Sequence, residues 1–569
     1  MLTSRFLRKV SALSAALTVL LFAGALEAGE PPRLILQITV DALRGDLPAR
    51  HLQQMGKGGF RYLMEKGVNY ENANYTHANT ETIVGHTSLA TGTVPAAHGM
   101  IGNLWFDRAL GRTVYNIEDP DYVLLTAGAT VDATTEIDPT QRAAKVEGRS
   151  PRAILSSTFS DQLTFATQGR AKVFGVSVKD RGAVSMAGHT GKAFWFSKAT
   201  GEFVTSSYYY NAYPAWVETY NATPPASAYA GTTWNLLADP ASYLFGALDD
   251  QPFETDFPGY GRTFPHDYGD AGDKYLTTRL TLGPAGDKLT LDFAKTLIRE
   301  EQLGQDAVTD YLAVSFSSND YVTHLFGPSS LEFEDNLLQL DRTLADLLAY
   351  IDKTVGLQRT LIVLSADHGA PEVPGYVNQL GLNLSRYFNV PAVEDSPLIQ
   401  GLKARFNIGE TLIETYDHPY IYLNDAVIEE AGLDKAEVEL AVSDILADVP
   451  GIAAAVSSNA LRKGQVPENL LMQSVQRNYH PKRSGDIYLV FEPNVFINDF
   501  DGLKVASTHG SPWRYDTHVP VMFAGAGLKP RTVSRPVRPY DIAATLAAWL
   551  NIDPPSASIG EPLPEVLGY

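Results

Sequence analysis

"RLILQITVDALRGD", residues 33–46, decides the fold. A short aliphatic run from Leu34 to Val40 stops abruptly at Asp41. Continuous apolar runs of strand length are expected where a strand is covered on both faces, as in a parallel sheet. The same design returns three times. "AKVFGVSVKDRGAV" (171–184) runs into Lys179 and Arg181, "DYLAVSFSSNDYVTH" (310–324) into Asp320 and His324, and "RTLIVLSADHGAPEV" (359–373) into Asp367 and His368. Amphipathic stretches lie between the runs, such as "SPRAILSSTFSDQLTFATQG" (150–169) and "SSLEFEDNLLQLDRTLADLLAYIDKT" (329–354). The alternation predicts an α/β fold with helices packed on a mostly parallel sheet. Ligands gather at the carboxyl ends of such strands, which is where all four polar clusters fall.

Two regions interrupt the alternation. Residues 191–300 are rich in Tyr, Trp, Phe, Pro and Gly, as in "FWFSKATGEFVTSSYYYNAYPAWVETY" (194–220), which predicts an inserted cap of short strands and loops. Residues 395–485 hold an expected strand "HPYIYLN" (418–424), a helix "DKAEVELAVSDILADV" (434–449) and "GIAAAVS" (451–457), the outline of a small inserted α/β lobe. The core is then expected in three parts, 31–190, 301–394 and 486–569, with the last resuming at "SGDIYLVFEPN" (484–494).

Composition bounds the function. The chain has 569 residues, 44% of them hydrophobic and 19% charged, ordinary values for a folded protein. A net charge of −20 argues against nucleic acid as a stable partner. A small anionic substrate is still compatible if metals and basic side chains reverse the field locally. Residues 1–28 read as a signal peptide, with Arg5, Arg8 and Lys9 before an apolar stretch and small residues at Ala25 and Ala28, either of which can end it. Its apolar run is short for a membrane span and broken by Ser and Thr. The expected product is a periplasmic or secreted protein with no membrane span. Cysteine is absent, so any metal must be held by carboxylates and the 12 histidines.

Two carboxylate–histidine pairs fit that requirement. "NDYVTH" sets Asp320 four residues before His324, on one face of a helical turn, and "ADHG" places Asp367 beside His368 at a strand end. Asp417–His418 in "YDHPYIYL" precedes a proline and enters a strand, so it reads as structural. In "STHGSPWRYDTHVPVMFAG" (507–525), His509 lies in a Gly-flanked turn free to approach a metal, while His518 suits a hydrogen bond at a strand entrance. With Asp41, these groups predict a paired metal site for O and N ligands, which suits zinc and would also accept manganese or cobalt. Two adjacent cations suit phosphoryl transfer. That gives "NTETIVGHTSLATG" (79–92) a purpose, because a cation can lower the pKa of a weakly acidic hydroxyl. A helix starting near residue 82 offers N–H groups to an anion. Thr87 and Thr91 lie too far along it, which leaves Thr80 and Thr82.

In order along the chain, "VDALRGD" (40–46), "TETIVGHTSLATGTVPAAHGMIGN" (80–103), "VKDRGA" (178–183), "NDYVTH" (319–324), "ADHG" (366–369) and "THGSPWRYDTHVP" (508–520) resemble the alkaline phosphatase superfamily. The pattern is most similar to its bacterial PafA/PhoK-type alkaline phosphatases, which stand close to the nucleotide pyrophosphatase/phosphodiesterase branch. The likeness runs from about residue 33 to the C-terminus. It implies a three-layer α/β/α sandwich and two Zn2+ ions per chain. It makes Thr82 the nucleophile and groups Asp41, Thr82, Asp367 and His368 around one zinc, and Asp320, His324 and His509 around the other. Asn103, Lys179 and Arg181 would bind the substrate's phosphoryl oxygens. The Lys–x–Arg pair marks phosphomonoesterases, because a monoester carries one more charged oxygen than a diester. The expected activity is hydrolysis of small phosphate monoesters through a phosphothreonine, by a monomer. The alternatives are a phosphodiesterase on the same scaffold, or a non-catalytic metal- or phosphate-binding protein. The sequence leaves any additional Ca2+ or Mg2+ open.

Overall fold

Leu34–Val40, the opening run, is strand β1 and is buried along its whole length. In this computed structural model, residues 31–382, 385–389 and 396–568 are described. The expected signal peptide lies outside them. β1 stands at the centre of a nine-stranded sheet. The other strands are β2 (Val68–Asn74), β3 (Val173–Ser177), β4 (Lys192–Ser197), β5 (Glu202–Val204), β6 (Asp310–Phe316), β7 (Thr360–Ser365), β8 (His518–Gly525) and β9 (Arg531–Val533). Their spatial order is β9-β2-β8-β7-β1-β6-β3-β4-β5. The central strands β7, β1, β6, β3 and β4 run parallel. Antiparallel pairing enters through β8, against β7 and β2, and through the edge strand β5. Register aligns the carboxyl ends: Val40 pairs with Phe316, Thr39 with Ser365 and Ser315 with Ser177. Asp41, Lys179, Asp320 and Asp367 therefore leave the sheet along one edge.

Alternation along β1 builds the three layers. Leu34, Leu36, Ile38 and Val40 share one core with helices Pro284–Glu300 and Leu331–Thr354. Ile35 faces the other core, filled by Leu89 and Ala90 of helix α1 (Thr82–Thr91), by Phe159 and Leu163, and by Ile542 and Leu546. Both sheet faces are thus sealed by helices, which is why the strands read as unbroken apolar runs.

Two expected boundaries move. The aromatic region from 191 opens with β4 and β5, which extend the main sheet, and it ends in helix Pro284–Glu300, which covers that sheet. Ring packing explains the join: Phe203 of β5 stacks on Phe293 of that helix at 4.2 Å, and Phe194 of β4 meets the same ring at 5.3 Å. The second correction concerns Ile487–Phe491, expected to rejoin the core. It lies instead in a four-stranded antiparallel sheet with Tyr420–Leu423, Ile452–Ser457 and Ile413–Asp417. Ile487, Leu489 and Phe491 pack with Val438 and Val442 of helix Lys435–Ala447, while Tyr488 and Val490 face a separate core with Met100, Ile101 and Trp105. A strand sandwiched between lobe helix and catalytic core has the same two-faced apolar pattern as a central parallel strand.

Candidate active site

The turn after β1 is tight. Ala42 takes φ of 58°, a left-handed conformation costing a residue with a β-carbon roughly 1–2 kcal/mol. There its N–H donates to Asp367 Oδ1 at 3.2 Å, tying the ends of β1 and β7 together. The backbone N–H of His368 donates to the same oxygen at 3.0 Å. Asp320 sits in the first turn of helix Ser318–Phe326, and His324 follows one turn on, its Nε2 3.4 Å from Asp320 Oδ2. His509 arrives from the loop before β8, with Nε2 3.4 Å from Asp320 Oδ1.

The three histidines share one arrangement. Nδ1 of His324 lies 2.8 Å from the Ser507 carbonyl, that of His368 2.9 Å from Gly369, and that of His509 2.8 Å from Thr80. A carbonyl can only accept, so each Nδ1 carries a proton, and Nε2 is the nitrogen that each ring can offer to a metal. All three Nε2 atoms turn toward carboxylates. His368 Nε2 lies 3.3 Å from Asp41 Oδ1 and 3.4 Å from Asp367 Oδ2.

Buried polar atoms without hydrogen-bond partners converge at the same point: Asp41 Oδ1, Asp320 Oδ1, Asp367 Oδ2 and His368 Nε2. Three carboxylates buried together face one ammonium, Lys179, whose Nζ is 2.8 Å from Asp41 Oδ2 and also bonded to Asp320 Oδ2. Burial pushes the Asp41 carboxyl up, but Lys179 opposes it, and the carboxyl stays well below its usual range. Burial, then the charge of Asp41, raises Asp367. Burial, then the neighbouring His368, lowers His509 to about 3, keeping that imidazole neutral. A desolvated anionic cluster with converging lone pairs is what divalent cations satisfy, so this donor set fits metal ions. The ligand atoms of Asp41, Asp367 and His368 lie within 4.8 Å of one another, as do those of Asp320, His368 and His509. His368 is shared by distance because its ring stacks on His509 with centroids 3.5 Å apart. Its contacts to Asp41 and Asp367 favour the first group. No other such trio occurs among the described residues.

Thr82 is the first residue of α1, and its buried Oγ1 accepts from Arg181 Nη2 at 3.3 Å. Thr80, the rival hydroxyl, already donates to the Ser511 carbonyl at 3.0 Å. Ser88 and Thr91 are internal, bonded to His98 and to the Thr87 carbonyl. Asn103 accepts from the Ile83 N–H through Oδ1 at 3.2 Å, so its NH2 faces away from the helix end. His518 begins β8 and bonds the Glu71 carbonyl at 3.1 Å. Asp417 accepts from Thr113, and His418 bonds the Gly510 carbonyl beside His509.

Three residues escaped the sequence reading. Asp138 pairs with Arg181 Nη1 at 2.8 Å. Glu81 Oε2 accepts from the backbone N–H of Asn103 at 2.9 Å, fixing that loop. His86 Nδ1 lies 2.9 Å from the Thr82 carbonyl and 3.1 Å from Asp367 Oδ2, joining helix α1 to the turn after β7. Only Asp138 carried a signal, the helix start Asp–Pro–Thr, and that signal explains its Oδ1 bond to Thr140 rather than its Oδ2 bond to arginine.

Residues 35–512 match the model of the type I phosphodiesterase/nucleotide pyrophosphatase family. The chain belongs to that family. Within it, this phosphodiesterase-family chain groups with the PafA/PhoK-type alkaline phosphatases. It is 36% identical to alkaline phosphatase PhoV of Synechococcus elongatus over 94% of its length and 93% of that protein's. The crystal structure of alkaline phosphatase PafA superposes with a TM-score of 0.84 at 32% identity, covering 95% of this chain and 99% of that one. A PafA variant substituted at one Thr, one Asn, one Lys and one Arg matches equally well. Those four positions are spaced along PafA as Thr82 is from Asn103, and Lys179 from Arg181, here. A Myroides odoratus protein named calcium-transporting ATPase is also 36% identical over 95% of this chain. No helix among the described residues is long and apolar enough to cross a membrane.

Proposed function

We propose that this enzyme is a zinc-dependent alkaline phosphatase that hydrolyses phosphate monoesters through a phosphothreonine at Thr82. The observation that carries this reading is the convergence of three histidine Nε2 atoms and three buried carboxylates beside a hydroxyl that Arg181 already contacts. Asp41, Thr82, Asp367 and His368 would hold one ion, and Asp320, His324 and His509 the other. When bound, the two cations supply positive charge that acidifies a neighbouring hydroxyl and offsets charge on the leaving oxygen.

The protein's own groups do the rest. Arg181, oriented by Asp138, and the NH2 of Asn103 bind nonbridging phosphoryl oxygens and turn phosphorus toward Thr82. Thr82 Oγ1 bonds to phosphorus as the bond to the leaving oxygen breaks, and water on the opposite face later cleaves the phosphothreonine. Lys179 and Arg181 add two buried cations where a monoester presents its extra charged oxygen, which favours monoesters over the diesters named in the family description. Every group comes from one chain, so a monomer suffices. Residues 1–28 would direct export to the periplasm or medium.

Thr82→Ala tests the reading. Turnover of a phosphate monoester should fall by about three orders of magnitude or more, with metal content by elemental analysis unchanged. Retained turnover would remove Thr82 from the chemistry.

A further inference from the structure

A cavity of about 670 Å³ opens between the catalytic core and the small lobe. The two candidate ligand groups meet it unequally. Asp320, His324 and His509 line it, whereas Asp41, Thr82, Asp367 and His368 do not. In an in-line displacement the nucleophile and the leaving oxygen stand on opposite sides of phosphorus. With Thr82 behind, the leaving group points past Asp320, His324 and His509 into this cavity.

A phosphoryl group occupies only a corner of such a volume, which is the size of pocket that holds a whole small ligand. The remaining wall is apolar: Phe491, Val495, Phe496, Ile497 and Phe500, with Tyr416. Phe500 stands edge-on to His324, centroids 5.0 Å apart at 67°, beside the path of the departing oxygen. Charge on the wall runs the other way. Among the described lining residues, Arg181 carries the only fixed positive charge, and Asp138 and the phosphoryl group engage it. Arg142 and Lys504, near the rim, are already paired with Asp501 at 3.2 Å and Asp499 at 2.5 Å. A second anionic group on the leaving alcohol would find no unpaired cation there, and would face Glu81 and the rim carboxylates of Asp499 and Asp501.

We infer that this cavity is a leaving-group pocket that selects monoesters of uncharged aromatic alcohols over monoesters whose alcohol carries a second anion, with Phe500 as a specificity-determining contact. The inference rests on the monoesterase reading above.

The test compares kcat/KM for three monoesters: methyl phosphate, an aryl phosphate with a neutral ring, and one with a ring carboxylate and matched leaving-group acidity. The holoenzyme should prefer the neutral aryl ester over the carboxylate by about tenfold or more. Phe500→Ala should lower kcat/KM for the neutral aryl ester by about tenfold and leave methyl phosphate unchanged. Ile497→Lys, which adds a cation to the wall, should narrow or reverse the preference. Equal rates for the two aryl esters in the unaltered enzyme would overturn the inference, and so would an equal loss on methyl phosphate in Phe500→Ala. If Phe500→Ala does not fold, the comparison in the unaltered enzyme and the Ile497→Lys variant still decide. Failure to turn over any of the three esters would sink the monoesterase reading itself, an outcome distinct from equal rates.

Discussion

Asn103 shows how one side chain is prepared for work. Glu81 holds its backbone N–H, the Ile83 N–H occupies its Oδ1, and the Asn116 side chain holds its carbonyl at 2.7 Å. Only the NH2 is left uncommitted, on a residue that lines the cavity. A donor preorganised this way is most useful where charge develops in the transition state. Asn103→Ala should therefore lower kcat for monoesters by about 10²-fold while circular dichroism and metal content stay unchanged. A drop in KM with kcat intact would assign the residue to another task. Lys179 is prepared differently. Burial works against its charge, yet Asp320 and Asp41 outweigh burial and raise its pKa. It is a cation between the two candidate ligand groups.

At the scale of elements, the site exists because β1, β3, β6 and β7 end at one sheet edge, and helix α1 must approach that edge closely. Gly85 allows it. A β-carbon there would stand 2.0 Å from the Asp367 carbonyl oxygen, a backbone atom that cannot turn aside. Gly85→Ala should push α1 away from the β7 turn, cost about 1–3 kcal/mol in denaturant melts, and lower kcat by shifting Thr82 from Arg181. Wild-type stability in that variant would contradict the contact. The sequence signalled the elements well where burial on both faces left unbroken apolar runs, as at 34–40 and 360–365. The same physics misdirected the reading at Ile487–Phe491, since a lobe strand covered on both sides carries the identical pattern. Asp41, Asp320, His324, Asp367, His368 and His509 were legible because they terminate those runs or sit in a Gly turn. Asp138 and Glu81 were not, because their partners lie 43 and 22 positions away and no local pattern links them.

Across the whole molecule, the catalytic edge is braced from behind by a loop whose Thr255 N–H donates to the Leu325 carbonyl of the Asp320–His324 helix at 2.8 Å. Next to it, Glu254 is buried with Oε1 unpartnered. Burial, then the charge of Glu332, pushes Glu254 from its usual 4.5 up to about 10. The folded protein therefore keeps a proton that the unfolded chain releases above pH 4.5, so stability from this group falls as pH rises toward 10 and levels beyond it. Glu254→Gln should flatten the decline of Tm between pH 6 and pH 9, and an unchanged slope would exclude the pair as its source. The proposed chemistry is a two-cation site in which buried Lys179 and Arg181 favour monoesters. The most direct measurement is kcat/KM for phenyl phosphate against bis-phenyl phosphate, made after chelation and zinc restoration, in the unaltered enzyme and in Lys179→Ala/Arg181→Ala. Zinc should restore activity, the monoester should be strongly preferred, and the double substitution should lower monoester hydrolysis far more than diester hydrolysis. A faster reaction with the bis-ester, left intact by the double substitution, would contradict this chemistry.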